Sequence, residues 1–162
     1  MNNKKGISAV VATVLIILIT VAAITIVWAA IIPMINNQLD QGTLCLDAVS
    51  QLSLMDAGYT CVDTPANELS LQIKKGARNF ELADIQVLIS SAGNVESVNL
   101  IESGAYALAD LPGSNEEKVY VLDVTAILAA GTIDSVKIAP VVKVGNTQEA
   151  CSVSSTKTLL EC

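Results

Sequence analysis

The chain has 162 residues, 52% hydrophobic, 15% charged and 3% aromatic, with 16 Asp/Glu against 9 Lys/Arg, a formal net charge of −7 and no histidine. The lack of imidazole excludes Ser-His-Asp and Cys-His nucleophile systems and His-bearing zinc sites, and the acidic balance makes nucleic acid an unexpected partner. No P-loop, GxGxxG, CxxC or EF-hand pattern occurs, so no cofactor and no enzymatic activity is expected; only chemistry on paired carboxylates stays open.

The apolar excess is concentrated at one end. Residues 7–35 contain 24 apolar side chains among 29, and no charge occurs between Lys5 and Asp40. As a helix, residues 7–32 would span about 39 Å, enough to cross a hydrocarbon core of about 30 Å. Ser8, Thr13, Thr20 and Thr25 can return their hydroxyls to helix carbonyls. Lys4 and Lys5 predict that this end stays cytoplasmic, and Trp28 suits the opposite interface. The run is too long for the apolar core of an ordinary secretory signal, about 7–15 residues. Ala9, Ala12, Ala22, Ala23, Ala29 and Ala30 would permit close helix approach. Pro33 predicts a kink or the start of a new segment, and Gln41-Gly42-Thr43 predicts the helix end.

Beyond Gly42 the period changes to two. Leu69, Leu71 and Ile73 alternate with Ser70, Gln72 and Lys74; Ile85, Val87 and Ile89 form a second run, and Val95, Val98, Leu100 and Ile101 a less regular third. Residues 119–124 are apolar on both sides except Asp123, which predicts a central buried strand. Val136 and Ile138 lead through Pro140 to Val142 and Val144, before a Gly145-Asn146 hairpin signal. Residues 105–111 and 124–130 read as short helical turns. Short strands at this spacing predict an antiparallel β-sandwich, so the fold class expected is α+β, a long N-terminal hydrophobic helix followed by the sandwich.

Cys45, Cys61, Cys151 and Cys162 all fall on the expected outer side. An even count there predicts disulfides, for which three connectivities exist. Proximity in sequence favours Cys45–Cys61 and Cys151–Cys162. The spacings contain no close pair of the kind a four-thiolate metal site uses, and Asp110, Asn115, Asp123 and Asp134 form no calcium pattern, so no metal is expected. No Asn-x-Ser/Thr sequon occurs.

Lys4-Lys5-Gly6 followed at once by Ile7-Ser8-Ala9-Val10-Val11-Ala12 resembles the class III signal peptide of archaeal type IV pilins. Val11 stands where bacterial type IV pilins usually carry Glu, which favours the archaeal branch. The resemblance implies that a prepilin peptidase recognises Lys4, Lys5 and Gly6 and cuts before Ile7, which changes the formal charge from −7 to −9. It implies three parts: a cleaved leader (1–6), a retained helix (7–41) serving as membrane anchor and then as filament core, and an extracellular domain (42–162). The implied partners are further copies of the chain in a helical polymer, the peptidase, an assembly platform with its ATPase, and the membrane before assembly. The implied role is that of a structural subunit of a surface filament used in adhesion. An archaellin, a minor pilin, a stator-like protein and a membrane-anchored extracellular binding module are the alternatives.

Overall fold

The computed structural model describes residues 9–55 and 58–162. The chain divides into two compact units between Asp40 and Gln41. Its first element, α1, runs over Ala9–Gln51 and passes through Pro33 without ending. Proline there removes the hydrogen bond to the carbonyl of Ala29, at a cost of about 3 kcal/mol in a helix interior. The helix does not stop at Gly42 as the sequence predicts. A mid-helix glycine costs only about 1 kcal/mol, and the next turns carry a stripe that is worth more. Ala48 and the following Leu52 are buried, with Leu44 and Cys45 packed against the same cluster.

Among the described residues nine strands follow: β1 (Leu52–Leu54), β2 (Cys61–Asp63), β3 (Glu68–Lys75), β4 (Leu82–Ser91), β5 (Asn94–Asn99), β6 (Glu117–Asp123), β7 (Ile133–Val144), β8 (Thr147–Ala150) and β9 (Ser155–Thr158). A 3-10 turn at Leu108–Asp110 and a short helix α2, Thr125–Ala130, occupy the two stretches read as helical turns. The fold is α+β, with two antiparallel sheets enclosing one core.

Both sheets follow one plan. In the first, β6 pairs along β3 from Glu68↔Asp123 to Lys74↔Glu117, while β1 and β2 share the other edge of β3. In the second, β4 pairs along β7, β5 extends β4, and the short strands β8 and β9 share the other edge of β7. The inward sets follow the alternation of the sequence: Leu69, Leu71 and Ile73 face Ile85, Val87, Ile89, Val136 and Ile138, all at most 1% exposed. At about 1.5–3 kcal/mol for each buried branched side chain, this cluster is the main stabilising term of the body.

Strand β6 is not the central strand that its composition predicts. Among the described residues it pairs with β3 alone, and Val119 and Val121 are exposed on the outer face while Tyr120 and Leu122 point inward. Its free edge is partly closed by one hydroxyl: Val121 N–H donates to Tyr106 Oη at 2.7 Å, and Tyr106 O–H donates to the Val121 carbonyl at 2.9 Å. The third apolar run also divides, because β5 ends at Asn99 and Leu100 turns into the core. Asp84, buried at a register shift of β4, holds that turn. Its Oδ1 accepts from the amides of Ile85 and Ile101, and its Oδ2 from that of Glu102, at 2.7–3.1 Å.

Candidate functional site: an exposed apolar helix on a disulfide-framed body

From Val10 to Leu39 the helix exposes nearly all its large apolar side chains: Ile16 is 62% exposed, Ile19 65% and Trp28 63%. No charged residue interrupts this surface before Asp40. The hydroxyls of Thr13, Thr20 and Thr25 are satisfied internally, donating to the carbonyls three residues earlier at 2.8–2.9 Å. Up to Ile35 such a surface presents no charge to its surroundings. The helix is long and apolar enough to cross a membrane. Lys4, Lys5, Gly6 and Ile7, the residues of the implied processing site, lie outside the described residues.

The end of α1 is fastened to the body by several bonds. Arg78 forms an ion pair with Asp47, its amide donates to Gln51 Oε1, and the Gly76 amide donates to the Gln51 carbonyl at 2.8 Å. A covalent bond adds to these: Cys45, on the helix, is joined to Cys151 just after β8, with Cα atoms 5.3 Å apart.

The second disulfide joins Cys61 at the start of β2 to the C-terminal Cys162. The pairing expected from proximity, Cys45–Cys61 with Cys151–Cys162, is therefore replaced by an interleaved one. The physical reason is the sheet topology, which brings the last residues beside β2. Val62 N–H donates to the Leu160 carbonyl, Cys162 N–H donates to the Val62 carbonyl, and Glu161 accepts from both the amide and the hydroxyl of Thr64. The tail thus leaves the second sheet at β9 and closes the edge of the first, where a single parallel bridge forms between Val62 and Glu161. All four cysteines are bonded, which points to an oxidising compartment.

The remaining charges hold local structure. Thr64 keeps the carboxyl of Glu161 below the usual carboxylate range, Thr125 does the same for Asp123, and Lys74 for Glu117. Asp110 accepts from the Ala107 amide at 2.8 Å. Lys75 is buried, donates to the Phe80 carbonyl and lies 4.4 Å from the Phe80 ring centroid, and burial lowers its pKa. Burial also pushes the Tyr120 phenol well up, with its hydroxyl donating to the Asp110 carbonyl at 2.7 Å. Among the described residues no three His, Cys, Asp or Glu side chains converge as a metal site would require. An open cleft of about 580 Å³ lies beside the tail, lined in part by Tyr59, Asp63, Glu68, Lys157 and Glu161.

Compared with protein-family models, curated proteins and solved structures, the chain matches none. The sequence signals the apolar helix directly. It carries no signal for Asp84 or Tyr106, whose partners come from segments 15–18 residues away.

Proposed function

We propose that the chain is the structural subunit of an archaeal type IV pilus-like extracellular filament, with a role in surface adhesion. The observation that carries this reading is the exposure of an uncharged apolar helix next to a body that buries its own apolar side chains. An exposed surface of that size and composition requires an apolar partner. Lipid serves before assembly, at no desolvation cost to any charge; helices of further copies serve afterwards, where the hydrophobic effect acts at full strength. The disulfides and the acidic balance of the body suit a repeated, hydrated exterior outside the cell. The dibasic-Gly junction supplies the processing step, in which a prepilin peptidase removes residues 1–6 and an assembly platform with its ATPase draws the helix from the membrane.

Intact-mass measurement of the native protein tests the processing step. A mature chain beginning at Ile7 is expected. A chain that retains Met1–Gly6 would instead support a permanent single-pass anchor carrying an extracellular binding module, and would overturn the pilin reading.

A further inference from the structure

Cys45–Cys151 and Cys61–Cys162 span 106 and 101 residues, and each loop contains one end of the other bond. We propose that the two bonds form a redundant latch that makes the body nearly inextensible to a load applied between α1 and residue 162. Load applied through α1 reaches Cys45 first. The covalent route to Cys162 then crosses to Cys151 and continues through residues 152–162. Strands β1–β8 lie off that route. If this bond opens, the route continues from Cys45 to Cys61 and crosses directly to Cys162, and again most of the sandwich is bypassed. Neighbouring pairs would act differently, because residues 61–151 would then lie in the load path.

The two bonds also differ in access. Cys45 and Cys151 are both half-buried and pack against the core, whereas in the second bond Cys61 is half-buried and Cys162 is exposed. A dithiol therefore reaches Cys61–Cys162 first, transferring two electrons and two protons to give two thiols and its own disulfide. The latch still holds through Cys45–Cys151. The latch is a property of one chain and does not depend on the filament reading.

Single-molecule stretching of the full-length chain in detergent, held by its two ends, tests it. At up to about 3.6 Å per extended residue, the oxidised protein should reach about 200 Å and, after dithiothreitol, about 580 Å. By the same measure, Cys61→Ser/Cys162→Ser should stop near about 200 Å and Cys45→Ser/Cys151→Ser near about 220 Å. An oxidised wild-type chain reaching about 480 Å, the length expected for neighbouring pairs, or about 580 Å, would overturn the latch. The wild type before and after reductant decides the matter even if a variant misfolds. Failure to find filaments would leave these lengths unchanged.

Discussion

Ile16 in the helix and Ile85 in the body are the same side chain, 62% exposed in one place and fully buried in the other. The body buries the inward branched aliphatics of β3, β4 and β7, sheet against sheet, and α1 before Asp40 leaves its own exposed. Apolar content alone therefore says little about stability. What matters is who supplies the partner surface: the chain itself for residues 41–162 and, on the proposed reading, lipid or another copy for the helix. The spectroscopic probes divide in the same way, with the single tryptophan, Trp28, on the helix and all three tyrosines in the body.

Several perturbations would break or sharpen this contrast. The largest should come from the covalent frame. Replacing Cys45 and Cys151 by serine removes one of the two interleaved bonds; with Cys61–Cys162 still closed, the loop released is the short one through residues 45–61 and 151–162, and the body should lose about 3–4 kcal/mol. Denaturant unfolding followed by tyrosine signals measures the loss, and no change would mean that this bond does not constrain the unfolded chain. Next is a matched pair: Ile85→Ala should destabilise the body by about 3 kcal/mol, and Ile16→Ala by less than about 0.5 kcal/mol. Equal effects in the same unfolding assay would erase the distinction between the two regions. Ile19→Lys reverses the test, disfavouring membrane insertion by about 2.5–3.5 kcal/mol at a helix centre. Membrane partitioning should fall while body unfolding stays unchanged. Asp84→Asn puts an amide where three backbone donors converge and should cost about 2 kcal/mol. Faster amide exchange at Ile101 and Glu102 is its local signature.

The smallest effect is that of pH on the tail. Thr64 lowers the folded pKa of Glu161 from its ordinary value of 4.5, so its contribution is fully present above that value. It is lost as pH falls through the folded pKa, because the unfolded chain then binds the proton more readily. Glu161→Gln should flatten this part of the acid limb, and an unchanged limb would mean that the Thr64 contact contributes nothing.

Local pattern made a good deal of this structure legible. The helix follows from its uncharged run, and β3 and β4 from the alternation of Leu69, Leu71, Ile73 and of Ile85, Val87, Ile89, whose inward faces are those the period assigns. The misses share a cause. Gly42 carries a local helix-ending signal that burial of Ala48 outweighs. Val119 and Val121 look like core residues, although β6 lies at the edge of its sheet, beside β3. Cys45 and Cys151 are distant in sequence and adjacent only after both sheets form. In each case long-range packing overrides a preference readable over a few residues. For the proposed assembly surface the legible part is the apolar run of α1, and the proposed latch became visible only with the pairing.

Electron microscopy of filaments sheared from the cell surface, with this protein identified in them by mass spectrometry, tests the central proposal most directly. The account predicts a helical polymer whose central density is a bundle of the apolar helices and whose outer layer is the two-sheet body. Recovery of the mature protein only as a detergent-soluble monomer, with no filament containing it, would contradict that account.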